Sequence, residues 1–218
     1  MACILFSLLT DLNFEVFYAI ILLKGSCFLK DIKIYSKTEP MPREKFHQLY
    51  SIMEYSFPPT ERGSEALQYS EYNRSEFRCL CYEPDGIPQA FIDYYEFPEE
   101  RTAFVEHFAV ASSLRGKGTG TSLLRHYMNI TAPYLTVLEV EPPDGAVQCR
   151  RIAFYQRMGF FLNMGEYFQP DFYNGGAVIP LKLMTTQPIS DERFLALRSF
   201  IYSRVYRTHI MPENTRMI

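Results

Sequence analysis

The sequence predicts an α/β fold of the α+β type, in which paired strands are flanked by helices and a last helix ends the chain. Apolar residues that alternate with polar ones, between turn residues, indicate strands. Apolar residues spaced at i, i+3 and i+4 indicate helices. The chain has 218 residues, of which 47% are hydrophobic, and this is enough to bury the core of one such domain.

The first 30 residues match neither a membrane span nor a signal peptide. Residues 4–9 and 16–23 are apolar, but Asp11, Asn13 and Glu15 interrupt them. A transmembrane helix needs about 20 mostly apolar residues, so no stable membrane insertion is expected. An amphipathic helix packed on the domain, an anchor that touches a membrane, and an extension in front of the domain all remain open. We favour the extension, and we expect it to be poorly ordered.

The domain itself is predicted to begin with a strand and two helices. Residues 31–36 alternate as a strand does, and Pro42 suits the first turn of a helix. Residues 57–59 end that helix, and Thr60 is predicted to cap the second one. The buried face of the first helix is predicted to consist of Phe46, Leu49, Tyr50 and Met53.

The middle of the domain is predicted to contain three antiparallel strands, then a glycine-rich turn and a helix. Residues 77–83 and 89–97 form a hairpin around a Pro-Asp-Gly turn, and the third strand ends at Val110. Residues 112–120 are polar and rich in glycine. The apolar face of the helix that follows consists of Leu123, Leu124, Tyr127 and Met128.

The last third of the chain is predicted to contain a strand, a helix, a hairpin and a terminal helix. Gly159 is a natural C-cap for the first of these helices, and Ser190 caps the terminal one. The expected elements are a strand at residues 135–140, a helix at 149–158, a hairpin of 160–168 and 177–184, and a helix at 191–207.

The turn at residues 112–120 has the features of an anion-binding site. It joins a strand to a helix, whose free N–H groups and dipole favour an anion. Arg115 and Lys117 add positive charge, and Gly118 after Lys117 excludes a Walker loop. The glycine spacing also differs from the dinucleotide fingerprint. Three glycines are expected to allow positive φ and the approach of a diphosphate: Gly116, Gly118 and Gly120.

The run Arg115-Gly116-Lys117-Gly118-Thr119-Gly120 resembles the acyl-CoA pyrophosphate loop of the GNAT superfamily of N-acyltransferases. Residues 106–110 resemble the strand before that loop, and residues 151–160, ending in Phe-Tyr-x-x-x-Gly-Phe, resemble the next helix of the family. The resemblance covers residues 31–185, and residues 186–218 are expected to form a C-terminal helix and tail. Gln148 departs from the family, in which many members have Asn near that position.

This resemblance implies a mixed, mostly antiparallel central sheet flanked by helices, and acetyl transfer from acetyl-CoA to an amine without a metal. A backbone N–H near Ala109 or Val110 is expected to stabilise the oxyanion, because strands separate there in the family. The residues expected to bind acetyl-CoA are Phe108, Ala109, Val110, Arg115, Gly116, Lys117, Gly118, Thr119, Gly120 and Thr121.

Acyl transfer to an amine needs a base that deprotonates the ammonium and an acid that protonates the leaving thiolate. Glu106 is the predicted base, and a solvated or ion-paired strand carboxylate is the alternative. Strand parity places Glu106 with Phe108 on one face and His107 with Ala109 on the other. His107 is expected to be a core residue. Tyr155 is the predicted acid, because in the family a tyrosine at this place often points at the CoA sulfur.

The acceptor is not determined by the sequence. A small amine, a polyamine, an aminoglycoside-like drug and a protein N-terminus or lysine all remain open. The carboxylates of Glu106, Glu139 and Glu141 lean towards a cationic acceptor. The residues predicted to contact the acceptor are Phe57, Glu139, Glu141 and Tyr173.

Composition excludes several other classes of function. A net charge of -3 argues against general nucleic-acid binding, which needs a basic face. The five cysteines have no paired spacing, so they are expected to be thiols in a reducing cytoplasm and not metal ligands. The sequence therefore predicts a cytoplasmic enzyme, monomeric or homodimeric. A non-catalytic acyl-CoA-binding module, acting as a sensor or an interaction domain, is the alternative.

Overall fold

The computed structural model describes residues 29–59, 61–170 and 179–208. Its seven strands form one sheet in the order β1-β2-β3-β4-β5-β7-β6, in which the β4–β5 pair is parallel and the other pairs are antiparallel. The predicted mixed, mostly antiparallel sheet is therefore confirmed. The strands are β1 (Ile32–Ser36), β2 (Phe77–Tyr82), β3 (Ala90–Phe97), β4 (Thr102–Val110), β5 (Leu135–Val140), β6 (Phe161–Gln169) and β7 (Ile179–Thr185).

Five α-helices flank this sheet in the described residues. The predicted C-terminal helix is present, and the Ser190 hydroxyl caps it by accepting a hydrogen bond from the Arg193 N–H at 3.3 Å. Its last part is a π-helical turn, Ile201–Val205. The helices are α1 (Arg43–Ser56), α2 (Glu65–Ser70), α3 (Thr119–Thr131), α4 (Ala146–Arg157) and α5 (Asp191–Phe200).

Each face of the sheet buries its own apolar cluster. On one face, α1 and the C-terminal helix pack on the strands, and on the other face α3 and α4 do so. Alternation along β2 shows the division, because Cys79 and Cys81 belong to the first cluster and Leu80 to the second. The predicted face of α1 is confirmed, since the helix buries Phe46, Leu49, Tyr50 and Met53.

The second helix begins later than predicted. Ser64, not Thr60, caps α2, and its hydroxyl accepts a hydrogen bond from the Leu67 N–H at 3.3 Å. The chain before Ser64 is held as a loop, because the Tyr50 hydroxyl donates to the Gly63 carbonyl at 2.8 Å. The fourth helix, in contrast, begins three residues earlier than predicted, with Gly145 at its N-cap.

Some predictions fall outside the described residues. These are Thr60, Tyr173, residues 1–28 of the N-terminal extension and the tail after residue 208. The division of the chain at residues 30 and 185 stays a prediction. Among the described helices, none combines the length and the apolar character that crossing a membrane requires.

Candidate active site

A cleft opens where β4 and β5 separate. The parallel ladder between them joins only Thr102–Val105 to Leu135–Leu138, whereas the strands continue to Val110 and Val140. A cavity of about 780 Å³ lies beyond the end of the ladder, bounded by both strands, the glycine turn and α4. This volume is in the range of small-molecule binding sites.

Most of the predicted CoA-binding residues line this cleft. Lys117 and Thr119 are not among its described lining residues, because the Lys117 side chain points to solvent and Thr119 is buried at the start of α3. Their contact with CoA stays a prediction. The predicted residues that line the cleft are Phe108, Ala109, Val110, Arg115, Gly116, Gly118, Gly120 and Thr121.

The glycine turn has the backbone that an anion site requires at two positions. Gly116 and Gly118 have φ values of 73° and 84°, and Gly118 lies directly before the first residue of α3. A Cβ at either position would have no other heavy atom within 4 Å, so the space in front of them is open. The helix α3, whose first N–H groups have no partner within the helix, begins beside this open space.

The expectation of positive φ at Gly120 is wrong. Gly120 lies inside α3 and is not among the positive-φ glycines. A Cβ at this position would lie 3.4 Å from Phe108 Cζ and 3.4 Å from Val110 Cγ2. Gly120 is therefore a helical residue that packs against β4, and no local signal in the sequence distinguishes it from a turn glycine.

Two hydrogen bonds hold the Arg115 side chain at the edge of the cleft. Its Nε donates to the Val110 carbonyl at 3.0 Å, and its Nη2 donates to Ser56 Oγ at 2.9 Å. The guanidinium also lies over the Tyr55 ring, 5.1 Å from its centre. The arginine thus links the glycine turn to β4 and α1 and keeps a positive charge at the edge of the cleft.

A β-bulge interrupts β4 at Glu106. The neighbouring β3 residues Asp93 and Tyr94 pair with His107 and Val105, so Glu106 is an extra residue without a partner in this ladder. Such a bulge bends the strand and changes the direction of its side chains.

The bulge makes the parity prediction for Glu106 wrong. Glu106 interacts with Tyr95 of the α1-side cluster, and His107 packs on Phe57 of the same side with ring centres 4.9 Å apart. Phe108 instead packs with the cluster of α3 and α4. Two consecutive residues, Glu106 and His107, therefore point to the same side of the sheet.

Glu106 has the environment of a strong base. Its side chain is 15% exposed and lines the cleft, and its Oε2 has no hydrogen-bond partner among the described residues. Burial raises the pKa of Glu106 well above its ordinary value, and the nearby carboxylates of Glu71 and Asp93 raise it further. A hydrogen bond with Tyr95 and the charge of Arg74 oppose this shift.

His107 is a buried, neutral residue, as the sequence predicted. Its Nε2 lies 3.0 Å from the Glu61 carbonyl oxygen, and burial lowers the pKa of the ring to about 4. Its Nδ1 lies 3.9 Å from Glu106 Oε2. A neutral imidazole at this place does not hold Glu106 as an ion pair, which leaves the carboxylate free to take a proton.

Tyr155 lies across the cleft from the strand end, on α4. Its ring packs between Phe154 and Phe160, with ring centres 5.2 Å and 5.7 Å away, and the residue lines the cavity. Burial raises the pKa of its phenol to about 12, although the charge of Arg151 lowers it somewhat. The phenol is therefore protonated at neutral pH and can act as a proton donor.

Glu139 is held on the β5 side of the cleft by a network of polar side chains. Its carboxylate accepts hydrogen bonds from the Tyr167 hydroxyl, from Tyr206 at 2.8 Å and from Gln169 Nε2 at 3.1 Å. Burial raises the pKa of Glu139 to about 7, and the bonds from the two tyrosines oppose the rise. A carboxyl group with this pKa changes its charge in the neutral range.

Glu141 is paired within the protein. Arg151 Nη1 donates to its Oε2 at 2.6 Å, and Gln148 Nε2 donates to its Oε1 at 3.3 Å. Gln148, the departure from the family pattern, thus binds a carboxylate of this chain. Phe57 and both predicted carboxylates, Glu139 and Glu141, line the cleft, and their contact with an acceptor stays a prediction.

The sequence did not point to several residues of the cleft. Glu61 lies in the loop after α1, where burial raises its pKa and the charge of Glu141 raises it further. Tyr206 reaches the cleft from the C-terminal end of the described chain. An acid after the Pro-Pro pair was the only local signal for Glu61, and Tyr206 had none because its partner Glu139 lies 67 positions away in sequence.

The described residues contain no cluster suited to a metal ion. Among the described residues, no group of three or more His, Cys, Asp or Glu side chains is arranged to hold a metal ion. The free thiols there are Cys79, Cys81 and Cys149.

Comparison with known proteins adds the family context. The sequence profile of the acetyltransferase (GNAT) family matches residues 44–160. Among solved structures, a protein from Bacteroides thetaiotaomicron assigned to the GNAT family is 28% identical, with a TM-score of 0.71 over 81% of this chain and 98% of that chain. No curated protein sequence matches this chain.

Two further solved structures share the fold at lower identity. The ribosomal-protein-S18-alanine N-acetyltransferase of Escherichia coli is 19% identical, with a TM-score of 0.51 over 73% of this chain and 97% of that chain. An aminoglycoside 6'-N-acetyltransferase complexed with coenzyme A is 18% identical, with a TM-score of 0.53 over 73% of this chain and 99% of that chain.

Proposed function

Because this chain belongs to the GNAT family of acetyltransferases, we propose that it moves an acetyl group from acetyl-CoA directly to a primary amine in the cytoplasm. The single observation that carries the proposal is the cleft between β4 and β5, which brings together the glycine turn, Glu106 and Tyr155. The free thiols at Cys79, Cys81 and Cys149 fit a reducing compartment.

In this proposal the glycine turn holds the diphosphate of CoA. The open N–H groups at the start of α3 bind the phosphate oxygens, and Gly116 and Gly118 leave room for them. The thioester then lies along the end of β4. Ala109 and Val110 lie beyond the β4–β5 ladder, and a backbone N–H there stabilises the oxyanion.

The chemistry follows from the two predicted catalytic residues. Glu106 takes a proton from the ammonium, and the free amine attacks the carbonyl carbon of the thioester. When the intermediate collapses, the C–S bond breaks and Tyr155 donates a proton to the sulfur, then regains one from the amide nitrogen. The balance is one ammonium and one acetyl-CoA in, and one amide, one CoA thiol and one free proton out.

The acceptor is proposed to be a cationic amine. Four carboxylates line the cleft, and the raised pKa of Glu106 makes it a stronger base toward an ammonium. An alkyl ammonium has a pKa of about 10, so it is charged at neutral pH. Its positive charge is attracted to carboxylates that line the cleft. The four carboxylates are those of Glu61, Glu106, Glu139 and Glu141.

A thermal-shift titration with CoA and acetyl-CoA, combined with thiol release against a panel of amines, tests the proposal. Ligand at a hundredfold excess over Kd stabilises the protein by about 2.7 kcal/mol, which raises its melting temperature. The control is Gly118→Glu, whose carboxylate repels the diphosphate and abolishes the shift. A folded protein without a shift contradicts CoA binding. A shift without thiol release on any amine contradicts the enzyme and supports a binding module.

A further inference from the structure

One end of the cleft is bounded by a part of the chain that lies outside the matched family profile. That profile ends at residue 160, and the C-terminal segment, residues 190–208, follows the last strand of the sheet. This segment contributes to the α1-side cluster, and its Tyr206 lines the cleft. The glycine turn lines the cleft beside α3, which packs on the opposite face of the sheet. The C-terminal segment therefore meets the cleft on the face away from the proposed CoA site.

Glu106 and Glu139 enter the cleft at the same level. The last pair of the parallel ladder joins Val105 to Leu138, so each glutamate is the first residue beyond the ladder on its own strand. The bulge turns Glu106 to the α1 side, and Glu139 bonds to Tyr167 of the α1-side cluster. Both glutamates line the cleft, and they flank the gap between β4 and β5 on one face of the sheet.

The two carboxylates differ in their hydrogen bonds. Glu106 Oε2 has no partner among the described residues. Glu139 accepts from the Tyr167 hydroxyl and from Gln169 Nε2 at 3.1 Å, and the Tyr206 hydroxyl lies 2.8 Å from both of its oxygens. Gln169 Nε2 also donates to the Tyr206 hydroxyl at 2.8 Å. Several donors hold a carboxylate in one orientation and stabilise its charge, which suits the binding of a cation, whereas a free oxygen suits a base.

The C-terminal segment fixes Tyr206 in this position. The Tyr202 hydroxyl donates to the Phe168 carbonyl at 2.7 Å and accepts from the Phe168 N–H at 3.3 Å, which joins the segment to β6. Directly before Tyr206, the Val205 carbonyl accepts a hydrogen bond from Arg74 Nη1 at 3.1 Å. The hydroxyl of Tyr206 is therefore presented to Glu139 by a segment that is bonded to the sheet and to the 3₁₀ turn before β2.

Apolar side chains line the same end of the cleft. Phe57 follows α1, and Ile179 and Leu181 lie on β7. Phe57 and Leu181 pack against the α1-side cluster, on the face that carries Glu139. A carboxylate beside apolar walls matches an ammonium group that is carried on an alkyl stem.

We propose that the C-terminal segment completes the acceptor site, because Tyr206 holds Glu139 as the carboxylate that binds the ammonium of an alkyl amine. The inference rests on the proposed function, in which Glu106 is the base. Glu139 binds and orients the ammonium, and Glu106 takes its proton, so the two carboxylates have separate roles. Tyr206 acts through Glu139 and is a positioning residue.

The charge of Glu139 makes this binding depend on pH. Burial raises the pKa of Glu139 to about 7, and bonds from Tyr167 and Tyr206 oppose the rise. An alkyl ammonium stays charged up to about pH 10, so its binding should strengthen as the pH rises through the pKa of Glu139. Among the described residues, the ionisable groups that face Glu139 are these two tyrosines, which burial keeps protonated, and Glu106 across the gap on β4. Without the Tyr206 hydroxyl, the pKa of Glu139 rises and the change in binding moves to higher pH.

The first test measures binding and needs no turnover. The CoA-bound protein is titrated with butylammonium between about pH 6 and about pH 9, across the pKa of Glu139. Binding is followed by the infrared bands of the Glu139 carboxyl group, which Glu139→Gln identifies. We expect Tyr206→Phe to raise the half-saturating concentration of butylammonium by about tenfold and to move the midpoint of its pH dependence upwards.

Tyr72→Phe is the matched control, because it removes a buried hydroxyl from the same cluster at a position that does not line the cleft. It should bind butylammonium like the unsubstituted protein. Gln169→Met removes another donor to Glu139 and should weaken binding in the same direction as Tyr206→Phe. Unchanged affinity in both variants overturns the proposal, and so does weaker binding with an unchanged pH midpoint, which would reflect a lost shape and not a lost hydrogen bond. No response of the Glu139 bands to butylammonium in the unsubstituted protein also overturns it.

The second test measures turnover with butylamine or, if butylamine is not acetylated, with the amine of the panel that releases most thiol. Tyr206→Phe should raise KM for the amine by about tenfold and leave kcat and the Kd of CoA unchanged, because the base and the acid are still in place. A loss of kcat at unchanged KM contradicts the positioning role. Thiol release from no amine overturns the proposed enzyme, whereas the butylammonium titration still reports on the acceptor site.

Discussion

The two glycines on either side of the start of α3 should respond to alanine with opposite signs. Gly118 has a φ of 84°, and an L-residue in the left-handed region costs about 1–2 kcal/mol. Alanine also restricts the unfolded chain, which returns about 0.4–1 kcal/mol. Gly118→Ala should therefore lower the free energy of unfolding by about 1 kcal/mol.

Gly120 is helical, so alanine there should gain helix propensity of up to about 1 kcal/mol. Its Cβ would meet Phe108 and Val110 at 3.4 Å, which is ordinary contact, so little of this gain is lost. The two alanine variants should therefore differ by about 1–2 kcal/mol in the free energy of unfolding, although they are two positions apart.

Urea denaturation of both variants measures this difference. With a slope of about 2 kcal/mol per molar urea, the midpoints should lie about 0.5–1 M apart, with Gly120→Ala the more stable. A Gly118→Ala variant as stable as Gly120→Ala would show that positive φ does not decide the role of the first glycine. Equal slopes are the control for an unchanged two-state transition.

Three other predictions concern Tyr155, Asp93 and Gly165. Tyr155→Phe should lower turnover by about 10²-fold or more and leave the Kd of CoA unchanged. Steady-state kinetics and a CoA titration measure the two quantities. An unchanged turnover would contradict the acid role. Burial raises the pKa of Asp93 to about 7. The native state therefore keeps a proton that the unfolded state loses above about pH 4. The free energy of unfolding should fall as the pH rises from about 4 to about 7. Asp93→Asn should reduce this fall, as measured by urea denaturation at about pH 5 and about pH 8, and an unchanged pH dependence contradicts the shift. A Cβ at Gly165 would overlap the ring of Phe194, so Gly165→Ala should lower the free energy of unfolding by about 1–3 kcal/mol. Adding Phe194→Leu to that variant should recover part of the loss. No recovery would mean that the overlap is relieved elsewhere.

The fold could be predicted from the sequence because its signals are local. Alternation of apolar and polar residues predicted β2 and β3, and helical spacing predicted the buried face of α1. Ser190 predicted the start of α5. The start of α2 was mispredicted because a contact with another helix fixes the loop before it. The loop before α2 is held by a hydrogen bond from Tyr50, and no residue near Thr60 reveals it.

The candidate site could be predicted in part for the same reason. The glycine turn and the Phe-Tyr-x-x-x-Gly-Phe run are continuous in sequence, and the structure brings both to one cleft. Glu141 could not be assigned, because its partners Gln148 and Arg151 lie on the next helix. Glu139 likewise depends on Tyr206, which is distant in sequence.

The sequence by itself determined most of the elements, the family and the position of the glycine turn, since each depends on residues that are neighbours along the chain. Only the tertiary structure decided the direction of Glu106. Pairing of β4 with β3 inserts a bulge there, and the bulge turns the carboxyl toward Tyr95 and away from Phe108. Strand parity assumes a regular ladder, and the pairing of two strands decides where a ladder is broken.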